Sequence, residues 1–277
     1  MRGAAQALRH EFIGLGGVLE RNWYLAKRYA WWELAFFAWT AANTLTIVFI
    51  AKGIESTGGQ IDVDRVTTQL LIGAVIWSYL GIVFEIVVET VAWERWEGTI
   101  EYTFMAPVRR VTHLFGICLF AIGYGLARTF VVLLIAAAMF QLDFSHADIP
   151  AALAVLAAST VPLIGLSILT AVLPLLSPQK GEQMSIALQG FLLLVSGVYY
   201  PLSVLPLPMQ LAGAASPLTY ALAGIRHSLL DGAGIGSELG TIAILLGMGV
   251  VLIPASILVF GWAENRAKRL GLLKRSG

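Results

Sequence analysis

The chain has 277 residues, 58% hydrophobic and 13% charged, with a mean hydropathy of +0.79. An average globular domain is roughly 45–50% apolar and about 25% charged, so there are too few charges here to cover a soluble surface, and soluble globular, disordered and fibrous classes are excluded. Net charge is +1, from 18 basic and 17 acidic residues, which gives no footing for nucleic acid, and the single cysteine, Cys118, excludes an internal disulfide or a cysteine-rich metal site.

Residues 1–30 are mixed polar and basic, which predicts no short cleavable signal at the start. Over 4–30, Leu8, Phe12, Leu15, Leu19, Trp23 and Ala26 recur at intervals of three and four, with Arg9, Glu20, Arg21, Lys27 and Arg28 between them. That periodicity predicts an amphipathic helix in the headgroup plane, an anchor that can also meet a cytoplasmic partner. Residues 31–263 then hold six apolar stretches. A span needs about 20 apolar residues to cross roughly 30 Å of hydrocarbon. The stretches are Trp31–Ile50, Leu70–Val91, Leu114–Phe140, Ile149–Leu176, the shorter Met184–Tyr200 ending at Pro201, and Thr241–Ala263. Residues 264–277 form a basic tail. The expected fold is an all-α integral membrane protein, one transmembrane domain over 1–277 with six transmembrane helices.

Lys and Arg divide unequally between the connecting segments. One side takes Arg2, Arg9, Arg21, Lys27, Arg28, Arg95, Arg109, Arg110, Lys180, Arg266, Lys268, Arg269, Lys274 and Arg275. The other takes Lys52, Arg65 and Arg226, and Arg128 lies inside a span. The positive-inside rule therefore predicts that both termini are cytoplasmic.

Two connecting segments are too apolar to be mere linkers. The first, Trp93–Arg110, reads WERWEGTIEYTFMAPVRR. Thr99 can cap a short helix there and Pro107 stops it. Two readings stand side by side: a turn that packs back on the bilayer surface, and a helix that plugs a groove in a soluble protein. The second, Gly197–Gly240, is broken by Pro201, Pro206, Pro208 and Pro217. Proline interrupts helices, so the pieces are too short to cross. Irregular backbone at membrane depth must be buried in protein or line a wet cavity, and re-entrant or interfacial outer helices are expected.

The sequence has no G-x-x-x-x-G-K-[ST] phosphate loop and no G-x-S-x-G elbow, and His10, His113, His146 and His227 fall in separate segments. No catalytic constellation and no metal site is expected. Charges within the spans are few. Arg128 can bind an anionic headgroup or form a structural ion pair with Glu85 or Glu89. Glu85 and Glu89 are four apart and share a helix face, fit for a gate, an ion pair or a proton relay. Residues 1–140 and 141–277 show no internal repeat, which leaves an inverted-repeat secondary transporter unsupported. An intramembrane lipid-modifying enzyme would need His, Asp or Glu clustered at one depth, and these are not evident.

Two motifs carry a resemblance to the membrane subunit of ABC-2-type ABC transporters, the drug, lipid and polysaccharide exporter branch. Glu94, Glu97-Gly98-Thr99-Ile100-Glu101 and Met105-Ala106-Pro107-Val108 are similar to the family's cytoplasmic coupling helix, with Thr103 where a Leu is often seen. Ser196-Gly197-Val198-Tyr199-Tyr200-Pro201, Leu205-Pro206, Ser216-Pro217-Leu218-Thr219-Tyr220 and Arg226 resemble its pattern after the fifth span.

The resemblance implies an export permease without catalysis of its own and without a cofactor in this chain. ATP and Mg would sit on a separate ATPase subunit. It also implies a second permease copy, identical or similar, in the inner (plasma) membrane. The ATPase would meet Glu97, Gly98, Thr99, Ile100, Glu101, Tyr102, Phe104 and Pro107. Pro201, Pro206, Pro217, Tyr220 and Arg226 would belong to the outer re-entrant helices. Spans one, two and five would lie nearest the seam between copies, with Val195, Val198, Tyr199 and Tyr200 as an apolar gate. Thr40, Asn43 and Thr44 would either line the pathway or hydrogen-bond between helices. So few charges in the spans favour a large amphiphile or a lipid-linked molecule over a small ion.

Overall fold

The computed structural model describes residues 2–55, 63–139, 146–177 and 180–272. The side chains of Leu8 and Lys52, the end of the third span at Phe140, and the tail residues Lys274 and Arg275 lie outside the described residues.

Among the described residues, ten α-helices follow in chain order: α1 (Arg2–Arg28), α2 (Ala30–Glu55), α3 (Val63–Glu97), α4 (Ile100–Met105), α5 (Arg110–Met139), α6 (Ile149–Leu176), α7 (Gly181–Val195), α8 (Leu207–Ala214), α9 (Pro217–Leu230) and α10 (Ile235–Arg269). A single 3-10 turn, Leu202–Val204, precedes α8. Among the described residues, five helices, α2, α3, α5, α6 and α10, are long and apolar enough to cross a membrane. The sixth expected span is the short α7, whose helix stops at Val195 rather than Tyr200. At 1.5 Å per residue its 15 residues rise about 22 Å, and the irregular Ser196–Tyr200 completes the segment.

The centre of the bundle is α3. It packs against α2, α5, α6, α7 and α9, and Tyr79, Leu80, Val83, Phe84 and Val87 are fully enclosed. Enclosure on all sides explains why its sequence is apolar all round rather than striped. The tightest pair is α6 with α10. A Cβ on Gly165 would meet the Leu252 backbone at 2.8 Å, so the absence of a side chain is what lets the two backbones close, the usual device in a medium where lipid is as apolar as leucine. Asp148 caps α6 by accepting from the Ala151 amide at 2.9 Å. Pro162 and Pro174 lie inside α6 and are both buried against neighbouring helices. By contrast α2 is loosely held: few of its side chains are buried, chiefly Thr44 and Val48 against Leu71 and Val75 of α3.

The amphipathic helix α1 lies across the α5 side of the bundle. Its predicted stripe divides in two. Leu15, Leu19 and Ala26 are half-buried, with Val18 and Asn22 fully so, while Phe12 and Trp23 are exposed beside Ile13 and Tyr24. One face therefore docks on protein and the other is left for lipid. The chain alternates so that α1, α4, the start of α5 and the end of α10 share one end of the bundle. The broken segment with α8 and α9 occupies the other.

Candidate functional site

At the α4 end, α3 reverses through Gly98, whose φ of 73° is a left-handed conformation that suits glycine. The short α4 follows. Thr99 stands at its N-cap position but keeps a helical backbone and makes no side-chain cap bond, so the expected cap is not formed. Ile100 is buried in the core and anchors the helix. Arg110 fixes the other end, donating to the carbonyls of Thr103 (3.0 Å) and Phe104, two acceptors that the helix C-terminus leaves unpaired. It also pairs with Glu264 of α10 at 3.1 Å, and Lys268 joins the same carboxylate at 2.6 Å. Both cations sit over the Phe104 ring, at 4.3 and 5.5 Å from its centroid.

This arrangement sorts the residues expected to meet a partner. Ile100 faces the bundle, and Phe104 is half-buried under Arg110 and Lys268. Gly98 and Thr99 shape the turn. The face open to solvent consists of Glu97, Glu101, Tyr102, Met105 and Pro107. Met105 belongs to the motif the sequence singled out, whereas the structural duty of Arg110 was missed by sequence reasoning, which could find it only as one more basic residue.

Behind α4, the end of α3 is clamped. Glu94 is buried and pairs with Arg21 of α1 and with His113 of α5 at 3.4 Å. Arg95, equally buried, donates to the Leu272 carbonyl beyond α10. Farther along α1, Glu11 accepts from the Thr112 hydroxyl and pairs with Arg109 at 3.4 Å. Between α1 and the bundle runs a mostly apolar groove of about 910 Å³.

A second cavity, about 450 Å³, opens among α2, α3 and the α7 segment. It brings together Thr40, Asn43 and Thr44 of α2, Glu85 and Glu89 of α3, and Tyr199. Spans one, two and five thus border one space within a single chain. Three gate residues do not line it. Val195 and Val198 are fully buried, folded inward by the turn at Gly197 (φ 70°). Tyr200 turns back and donates to the Leu194 carbonyl at 2.6 Å. Trp39, Trp77 and Glu182 complete the lining.

The intramembrane arginine has a different partner from those expected. Arg128 pairs with Glu33 of α2 at 3.7 Å and donates to Thr40 at 3.3 Å, while Tyr124 donates to Glu33 at 2.7 Å. Glu85 and Glu89 are not its ion-pair partners. Glu33 replaces them because α2 brings its first turns alongside the middle of α5. Thr40 therefore serves as an interhelical contact as well as a cavity wall.

At the opposite end, Arg226 of α9 donates to the Gly197 carbonyl at 2.9 Å and to that of Val198. A guanidinium thus satisfies the irregular backbone after α7, which membrane depth requires. Ser196 and Ser216 join their hydroxyls at 2.9 Å. Pro201 leads into the 3-10 turn, Pro206 into α8 and Pro217 into α9. Tyr220 donates to the Ala214 carbonyl at 2.9 Å.

The family described as ABC-2 type transporter matches residues 18–230, from the middle of α1 to the end of α9 and well over half of the chain. No curated protein matches the chain.

Proposed function

Because the chain belongs to the ABC-2 type transporter family, we propose that it is the permease of an ATP-driven exporter, moving a drug, a lipid or a lipid-linked amphiphile out of the cell under the power of a separate ATPase subunit. As a member of that family it is an integral, multi-pass transport protein rather than an enzyme. ATP and Mg belong to the partner chain on this reading. Two permease copies pair, the α4 end faces the cytoplasm together with both termini, and the host bilayer is the inner (plasma) membrane. Residues 1–277 act as one transmembrane domain.

The observation that carries the reading is the two-sided character of α4. One side is fixed to the bundle by Ile100 and Arg110. The other presents Tyr102 and Met105, each 72% exposed, between Glu97 and Glu101. A six-residue helix held this firmly, with large apolar side chains pointing away from its own protein, suits a socket in another protein. Motion of that partner would pass through Arg110 and Glu264 to α5 and α10, and through Glu94 to α1.

Tyr102→Asp tests the contact. It should abolish co-purification of the ATPase or uncouple hydrolysis from transport while leaving the permease folded, because the side chain is 72% exposed at the edge of the groove beside α1 and has no hydrogen bond or ring contact among the described residues. Wild-type coupling in that variant would overturn the assignment. Phe104→Asp is a poorer probe, since it also breaks the stacking with Arg110 and Lys268.

A further inference from the structure

The cavity among α2, α3 and α7 is lined by acidic side chains and by no basic one among the described residues. Glu85 and Glu89 line it side by side on α3, and Glu182 faces them from the first turn of α7. The other charges within electrostatic reach of Glu85 and Glu89 are Glu33 and Arg128. Arg128 is already paired with Glu33. Among the described residues, four carboxylates therefore stand against one guanidinium, and no hydrogen bond or ion pair is described for Glu85 or Glu89. Carboxylates at membrane depth are costly unless something positive meets them.

The walls around them are aromatic: Phe36 and Trp39 of α2, Trp77 of α3, and Tyr199. Aromatic faces attract cations, tryptophan most strongly, and the attraction grows when water is excluded. On the same wall, the Ser78 hydroxyl is buried without a hydrogen-bond partner among the described residues. A cavity of about 450 Å³ falls within the usual range for small organic ligands, roughly 300–1,000 Å³. It is too large and too aromatic to be shaped for a bare metal ion, which would want converging oxygen ligands at short range.

We propose that this cavity binds a lipophilic organic cation, its charge offset by Glu85 and Glu89 and its apolar body held against Trp39, Trp77 and Tyr199. The inference rests on the exporter reading above and narrows its substrate class to cationic amphiphiles. Glu85 and Glu89 supply the charge, Glu182 adds to the field from the α4 end, and the Arg128–Glu33 pair sets the far electrostatic boundary without consuming the α3 carboxylates. Anionic lipids and lipid-linked phosphates are disfavoured in this space by the same arithmetic.

The test compares two ions of nearly the same shape and opposite charge, tetraphenylphosphonium and tetraphenylborate, on the purified full-length chain and on its complex with the ATPase. The wild type should bind tetraphenylphosphonium saturably and favour it over tetraphenylborate by at least about tenfold. Glu85→Gln/Glu89→Gln should lose that preference, whereas Glu85→Asp/Glu89→Asp should keep most of it. If the double Gln variant does not fold, a Cys118→Ser chain carrying Gln189→Cys in the cavity wall gives a second readout. Tetraphenylphosphonium should protect that thiol from alkylation, and tetraphenylborate should not. Equal binding of both ions, or unchanged preference in the double Gln variant, would overturn the proposal and leave the carboxylates as holders of protons. The exporter reading fails separately: a complex that exports a neutral amphiphile at the expense of ATP but ignores tetraphenylphosphonium keeps the function and loses only the cation.

Discussion

At the residue scale, the motif over residues 97–107 separates into side chains with distinct physical duties, and two adjacent residues make the point. Gly98 is required by its φ of 73°. An alanine there would pay about 1–2 kcal/mol for the left-handed conformation and would re-aim α4. Thr99 has the look of an N-cap, a role worth about 1 kcal/mol, yet its hydroxyl has no hydrogen-bond partner among the described residues. Gly98→Ala should therefore lower thermal stability in detergent and weaken coupling to the ATPase, while Thr99→Ala leaves both near the wild-type values. A larger loss at Thr99 than at Gly98 would show that the turn is held by a bond the geometry lacks. The motif was legible as a unit because Gly, Pro and the apolar run mark a short helix. Its division of labour was not, since the clamp comes from Arg110 and Glu264, and nothing in local spacing says that residues 154 positions apart will pair. The same holds for Arg128. A buried guanidinium advertises the need for a carboxylate, but the choice of Glu33 over Glu85 depends on how α2 lies along α5.

At the scale of elements, hydropathy located the long helices well, because about 20 apolar residues have few alternatives in a bilayer. It was less informative where apolar chain stops being helical. Residues 196–200 continue the apolar stretch through Val198, Tyr199 and Tyr200, and the change is marked by Gly197, Pro201 and the carbonyls taken by Arg226. The docking of α1 was half visible: its periodicity announced an apolar stripe but not which part of it meets protein. Glu11 supplies one tie that can be tested by pH. The hydrogen bond from Thr112 holds its carboxyl below the ordinary 4.5, against some opposing desolvation and with further help from Arg109. A carboxyl lowered in the folded state adds stability above its unfolded value and loses it as pH falls through the folded one. The attachment of α1 to the start of α5 should thus be unchanged from pH 7 to 5 and loosen below 4.5. Hydrogen exchange of residues 9–16, corrected for the intrinsic rate, should rise in that window in the wild type. Glu11→Gln should remove the pH dependence. A transition at neutral pH instead would point to another group.

For the whole molecule, the open question is what covers the faces that one chain leaves bare. Trp39 on α2 is 70% exposed and Ile186 on α7 is 62% exposed, both on the wall of the aromatic cavity, and Phe191 farther along α7 is 48% exposed. Lipid can cover such faces, but a cavity with two unpaired carboxylates on its wall is poorly served by acyl chains, and a second copy would enclose it. A wide conduit for an amphiphile also needs more walls than six segments of one chain supply. The sequence placed spans one, two and five nearest the seam between copies, and within one chain the same three border the cavity. It also offered Val195 and Val198 as gate residues, but both are buried, at 1% and 0% exposure, within one chain. The informative positions are on the outer face of α7. With Cys118 replaced by Ser, a cysteine at Ile186 or Phe191 should form a disulfide between two chains, and one at Val195 or Val198 should not. The yield at Ile186 should change when the ATPase binds ATP, since closure at the α4 end must move α7 if the cavity is the route. Chains that export substrate while remaining monomeric would remove the seam altogether. If a similar second permease is present, the crosslink should form between the two different chains and be weak within either alone, which keeps the geometry and gives up the two-fold symmetry.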